Sequence, residues 1–331
     1  MFTIQNNDSG SSDTVLAGFD CYAYPGDAAM TWLFANSNLR WVGYYLYPAP
    51  SRNVAANGGN SWMGQLHSLN GWVVSPIYVG EQDPAHQDQD PGNSSNPSAN
   101  KGTADGYSDE VNSGGMANSA VPLLKQEGFP AGTTVYLDVE TSGTQSQPEL
   151  DYIASWCAAV KLGNYNPGIY CLESAYSSIA SAAPTATYWI SNPNNPSPQG
   201  FTFPTMPPTG SGVPTAIAWQ YETARSYTIA LPTSVAAAGS LQVDLDVANA
   251  SSATGSATTP ALGGPIVTGT QISFSLQTVP GFDYVLQFTR DLSNPTRQDI
   301  QTNSGGGLMS FADAIGSQSN GFYRVRKQPH N

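Results

Sequence analysis

The chain has 331 residues and a net charge of −13, with 40 % hydrophobic and only 11 % charged residues. That length allows one large core with a small second one. The acidic balance argues against nucleic acid and anionic membrane surfaces as partners, and no apolar run reaches the roughly 18 residues of a membrane span.

Residues 1–14 read as an N-terminal extension. Residues 1–18 hold no basic segment followed by an apolar stretch, so no signal peptide is expected there. From residue 15 to about 250, strand-like and helix-like segments alternate. Residues 15–20 read as a buried strand, 27–36 as a helix, 40–46 as a second strand, 61–69 as a weak helix and 72–79 as a third strand. Residues 81–101 form a polar stretch too long for an ordinary connection. Helical character returns over residues 104–127, with Gly128 as its stop. Residues 133–139 give the fourth strand. Leu150, Ile153, Ala154, Cys157 and Val160 then mark a helix over 148–162 that Gly163 closes. The fifth strand (168–172), a short helix (175–183), the sixth strand (186–190) and strands over 216–221 and 241–247 follow, while the prolines of 193–215 disfavour a helix there. Eight strands alternating with helices over about 235 residues fit an α/β fold, a (β/α)8 TIM-type barrel. A doubly wound open sheet is the other topology of this class, but no GxGxxG follows any strand.

Residues 251–265 are rich in Ala, Ser, Thr, Gly and Pro, as in a flexible linker. Beyond them the period changes to two, with Ile272, Phe274 and Leu276, then Tyr284, Leu286 and Phe288, alternating with more polar residues. Residues 266–331 are expected to form a small β-sandwich-like domain without catalytic residue types.

The chemistry concentrates at strand ends. Tyr136-Leu137-Asp138-Val139-Glu140 closes the fourth strand with carboxylates at i and i+2, on one face and roughly 6–7 Å apart along the strand. A (β/α) barrel keeps its active site at this edge, and paired acids can flank a glycosidic bond. A solvated strand end is the plainer reading of the pair. Asp20 closes the first strand, and Asp244 and Asp246 repeat the i, i+2 spacing on the last. In a closed barrel first and last strands are neighbours, so the five acids can share one mouth, although Asp244 and Asp246 can equally cap a loop. Crowded carboxylates do not all ionise cheaply, so one should stay protonated and serve as general acid. Glu140 is assigned that role on the expectation of partial burial. Among the strand aromatics, Tyr45, Tyr78, Trp189 and Tyr221 are candidates for stacking against sugar. Gln220, polar within Ile217-Ala218-Trp219-Gln220-Tyr221, needs a partner and is a candidate ligand contact.

The blocks Gly18-Phe19-Asp20, Val135-Tyr136-Leu137-Asp138-Val139-Glu140, Pro167-Gly168-Ile169-Tyr170, Tyr188-Trp189-Ile190, Ala218-Trp219-Gln220-Tyr221 and Val243-Asp244-Leu245-Asp246 occur in this order. Together they resemble the glycoside-hydrolase-like domain family of exported bacterial proteins, itself similar to family 25 glycoside hydrolases, the lysozyme-type muramidases. The resemblance implies a peptidoglycan β-1,4-glycosidase fold. Glu140 matches the general acid, Asp138 the partner that steers the acetamido group or activates water, Asp20 and Asp244 supporting acids, and Asp246 a substrate contact. Asp20-Cys21-Tyr22 departs from the Val-Ser common after this Asp in muramidases, and residues 81–101 are longer than expected.

The implied partner is peptidoglycan or a related glycan, and the implied location is outside the cell or at its wall, by a route without a visible signal peptide. A glycan-binding barrel without turnover, and a cargo or structural component of an exported particle, are the rival readings. The C-terminal domain is a candidate for attachment to a particle or surface. No cofactor or metal is expected: the histidines (His67, His86, His330) have no metal spacing, and Asp88-Gln89-Asp90-Pro91-Gly92 lacks the glycine and distal glutamate positions of a calcium loop. Cys21, Cys157 and Cys171 show no CxxC spacing and read as buried thiols. No G-x-S-x-G elbow supports a serine hydrolase.

Overall fold

The computed structural model describes residues 15–50, 61–69, 71–82, 96–108, 118–193, 198–223, 227–249, 266–278, 282–290, 298–304, 307–314 and 321–329. The 1–14 extension, the 251–265 linker and the Asp88-to-Gly92 motif lie outside them. The chain divides into two compact units, the larger covering residues 13–257 and the smaller containing residues 258–331.

The larger unit is a closed eight-stranded barrel. Its strands are β1 (Val15–Asp20), β2 (Leu39–Tyr45), β3 (Val73–Val79), β4 (Thr134–Val139), β5 (Asn166–Leu172), β6 (Thr187–Ser191), β7 (Ala216–Glu222) and β10 (Asp244–Asn249), with β10 between β7 and β1. The neighbours β1 to β7 pair in parallel, whereas β10 pairs antiparallel with both β1 and β7. The barrel therefore departs from the expected (β/α)8 arrangement at its closing strand. The reason lies in the connection. A parallel return needs a crossover of a dozen or more residues, usually a helix. Between β7 and β10 the described chain instead forms a small hairpin, β8 (Thr228–Ala230) with β9 (Ser240–Gln242), around Pro232 and Gly239.

Five helices pack outside the strands among the described residues: α1 (Asp27–Asn36), α2 (Ala99–Gly106), α3 (Ala120–Glu127), α4 (Gln147–Leu162) and α5 (Glu173–Ala182). Gly128 ends α3 in the left-handed conformation at φ 85°, so Phe129 N–H reaches back to Leu124 O at 2.9 Å. In α4, Pro148 and Glu149 occupy the first turn and Lys161 the last, in keeping with the helix dipole. The expected weak helix over 61–69 is a single 3-10 turn at Leu66–Ser68, and the 104–127 region is two separate helices. Glu81, at the head of the polar stretch, is buried against Lys101 (3.5 Å). Lys101 also pairs with Asp105, which accepts from Tyr152 Oη at 3.0 Å. These contacts tie α2 and α4 to the end of β3.

Alternate strand residues point inward and build a second core inside the barrel from Trp41, Ile77, Tyr136, Trp189, Ala218 and Ala248. Trp189 sits at its centre, with ring centroids 4.7 Å from Trp41, 5.5 Å from Tyr136 and 5.2 Å from Tyr170. Such large rings fit because glycines face them. A Cβ on Gly18 would lie 2.3 Å from the Trp41 ring, and one on Gly43 would lie 2.7 Å from Asp20 Cβ.

The smaller unit contains two three-stranded antiparallel sheets. One has the order β11 (Ile266–Thr268), β12 (Gln271–Thr278), β15 (Gly307–Ala314). The other has the order β14 (Gln298–Ser304), β13 (Phe282–Thr289), β16 (Phe322–Pro329). Ile272, Phe274, Leu276, Tyr284, Leu286 and Phe311 form its core. The alternation read in the sequence is the inward face of this β-rich unit.

Candidate functional site

Asp20 ends β1 directly opposite Asp244, and Asp246 lies two residues on, opposite Gly18 on β1 and Gln220 on β7. Because β10 runs antiparallel, its first residues lie beside the last residues of β1 and β7. Asp138 stands in β4 between Val79 and Tyr170, with Glu140 just beyond the strand. The five acids thus occupy the ends of β1 and β4 and the start of β10, at the barrel's mouth.

A hydrogen-bond network joins them. Asp20, 2 % exposed, accepts from Tyr45 Oη on Oδ1 (2.7 Å) and from Gln220 Nε2 on Oδ2 (3.2 Å). Gln220 Oε1 accepts from Tyr170 Oη at 2.9 Å and Ser191 Oγ at 2.7 Å, which fixes the amide with its nitrogen toward Asp20. Trp189 Nε1 donates to Asp246 Oδ1 at 3.0 Å. Burial, followed by the charges of Asp20 and Asp244, pushes the Asp246 carboxyl well above the usual carboxylate range. Burial, followed by the negative charges of Asp138, Glu140 and Asp20, holds the Tyr170 phenol well above its own. Tyr170 therefore feels acids from both sides of the mouth.

Gln82, buried just after β3, holds the Asp-x-Glu segment in place. Its Nε2 donates to Asp138 O at 2.8 Å, and its Oε1 accepts Glu140 N–H at 3.0 Å. Gln145 clamps the next turn through Thr141 O (3.1 Å) and Gly143 O (3.0 Å).

The sequence-predicted residues do not all meet. Asp20, Asp138, Glu140, Asp244, Asp246, Tyr45 and Gln220 lie at the mouth. Tyr78 and Tyr221 face outward into the core between barrel and helices; Tyr78 stacks on Trp156 and donates to Asn118 O at 2.7 Å. Trp189 points inward but is sealed beneath the mouth, its N–H committed to Asp246, so it forms a floor and offers no stacking face. Glu140 is exposed, contrary to the partial burial on which its protonation was expected. Sequence reasoning missed Gln82, Tyr170, Ser191 and the buried Glu222 as mouth residues. For Tyr170, Ser191 and Glu222 a signal existed: each lies at or near the C-terminal end of a parallel strand. A recess of about 530 Å³ beside α1, lined by Asp27, Thr31, Trp32, Asn36 and Val235, contains none of these acids. Among the described residues no group of three or more His, Cys, Asp or Glu side chains is arranged to hold a metal ion, and no helix is long and apolar enough to cross a membrane.

The family model described as Rv2525c-like, glycoside hydrolase-like domain matches residues 31–247, α1 through most of β10. The chain belongs to this family. Its matched region contains Asp138, Glu140, Asp244 and Asp246, while Asp20 lies before it. No curated protein matches the chain. Among solved structures, an uncharacterised B. stearothermophilus protein determined at 1.07 Å is similar with a TM-score of 0.42 and 18 % identity, over 70 % of this chain and 95 % of that one. Membership of the glycoside hydrolase-like family points to glycan-related work for the barrel.

Proposed function

We propose that the barrel is a glycosidase of bacterial cell-wall peptidoglycan, acting outside the cell or at its wall. The observation that carries this reading is the gathering of Asp20, Asp138, Glu140, Asp244 and Asp246 at one barrel mouth, within a family described as glycoside hydrolase-like. In this mechanism Glu140 protonates the leaving glycosidic oxygen. Its exposure leaves it open to substrate, and a bound glycan strand would supply the desolvation that the free protein lacks. Asp138, held by Gln82 through the main chain, orients the acetamido group or a water. Asp20 and Asp244 supply the negative charge that an oxocarbenium-like transition state favours.

The test is muropeptide release from purified peptidoglycan by wild type, Glu140→Gln and Asp138→Asn. General acid help is worth about 10²–10⁴-fold, so Glu140→Gln should nearly abolish release while keeping the fold, with a smaller loss for Asp138→Asn. Equal release by wild type and Glu140→Gln removes Glu140 as the acid. Absence of release by wild type on several wall types, with glycan binding retained, leaves a binding barrel instead.

A further inference from the structure

The donors around the two innermost acids are unequal. Asp20 accepts a hydrogen bond on each oxygen, from Tyr45 and from Gln220, as an ionised carboxylate does. Asp246 accepts on Oδ1 alone, from Trp189, and its buried Oδ2 meets no N–H or O–H donor among the described residues. Yet Asp246 stands diagonally across the antiparallel β1–β10 pair from Asp20, on the same face, and its β7 neighbour Gln220 donates to Asp20. Two ionised carboxylates so placed within a sealed interior repel and leave lone pairs unsatisfied. One proton removes both costs, and the donor count places it on Asp246 Oδ2.

We propose that Asp246 is a neutral carboxylic acid that donates its Oδ2–H to Asp20 and so serves as a positioning residue for the charge at the barrel mouth. The pair then carries one negative charge, fixed by Tyr45, Gln220 and Trp189. Loss of the shared proton would push Asp20 off Tyr45 and Gln220. The proton assignment is independent of the glycosidase reading; only the consequence for turnover rests on it.

The groups facing Asp246 are Asp20 from β1, Asp244 on its own strand, and Trp189 from β6, which does not titrate; Tyr221 of β7 points the other way, into the outer core, and meets Asp246 only through its charge. Burial holds Tyr221 far above its usual range, so it stays neutral. Since the folded pKa of Asp246 is raised, its contribution to stability is complete below the unfolded carboxylate value. It is lost as pH rises from there through the folded value.

Asp246→Asn keeps an acceptor for Trp189 and a donor for Asp20 but cannot ionise. Its melting temperature relative to wild type should climb with pH, by up to roughly 3–5 °C per pH unit within that window. In the release assay Asp246→Asn should lose less than Asp246→Leu, which should fall by on the order of 10²-fold. A constant melting-temperature gap from pH 5 to 9, or a folded Asp246→Asn that loses as much release as Asp246→Leu, overturns the proposal. Should Asp246→Asn fail to fold, the side-chain carboxyl ¹³C shift of Asp246 in the wild type decides: protonated at pH 7 supports the shared proton, ionised refutes it. A widening gap with no release by any variant supports the shared proton and sinks the glycosidase reading instead.

Discussion

Replacing Gln82 tests whether one buried amide holds the Asp-x-Glu segment. Its two short hydrogen bonds, to Asp138 O at 2.8 Å and from Glu140 N–H at 3.0 Å, bracket the residues that would do the chemistry. Each is worth about 0.5–1.5 kcal/mol net, and the one stem methylene that alanine lacks adds about 0.8 kcal/mol for this 3 % exposed side chain. Gln82→Ala should therefore cost about 2–4 kcal/mol, a fall in melting temperature of roughly 4–16 °C for a unit of this size. Gln82→Met retains an apolar stem of similar length and removes only the polar contacts, so its loss should stay near 1–3 kcal/mol. In both variants the Glu140 amide should exchange with deuterium faster, and muropeptide release should fall on the order of 10²-fold as the acid loses its fixed position. Urea denaturation, native-state exchange and the release assay together make the check. If Gln82→Met matches wild type in stability and in exchange at Glu140, the clamp does not hold this segment.

Gly43→Ala places a methyl 2.7 Å from Asp20 Cβ and 2.8 Å from Ile77 Cδ1, and should cost about 1–3 kcal/mol by urea denaturation while displacing Asp20. Trp189→Phe removes the indole N–H from Asp246 inside the sealed barrel. It should cost about 2–4 kcal/mol, and a variant as stable as wild type would show that this hydrogen bond is energetically idle. Each unit has its own apolar core, so a chain ending at Ala257 should keep the barrel's cooperative melting transition by calorimetry; its disappearance would mean that the two units fold as one.

The sequence made most of the barrel legible because strands β1 to β7 and helices α1, α4 and α5 are each specified locally, by apolar runs, helical periods and turn residues. Which face of a strand points inward was harder to read. A strand covered on both sides is apolar throughout, so period two does not separate interior from exterior. Tyr78 and Tyr221 were placed in the site for this reason, although they belong to the outer core. Gln82 carried no signal of its own, being one amide at the edge of a polar stretch. Its importance comes only from the fold bringing the end of β3 beside the end of β4. The exposure of Glu140 was likewise invisible, since it depends on where the chain turns after Val139.

The direction of the closing strand followed from its connection, which periodicity does not read. In a barrel of parallel strands, residues at the mouth come from strand C-termini, and Asp20 and Asp138 obey this rule. Asp244 and Asp246 are the first and third residues of a six-residue strand. Were that strand parallel to its neighbours, both acids would open toward the opposite end of the barrel, away from Asp138. Reversing the strand brings its start to the mouth and pairs Asp244 with Asp20. The short hairpin before β10, with Pro232 and Gly239 in place of a crossover helix, permits that reversal. The strand read in the sequence over 241–247 had these acids near its end; the observed strand begins at Asp244 and places them at its head. The helix-poor connection before it was therefore the one mark in the sequence of an antiparallel closing strand.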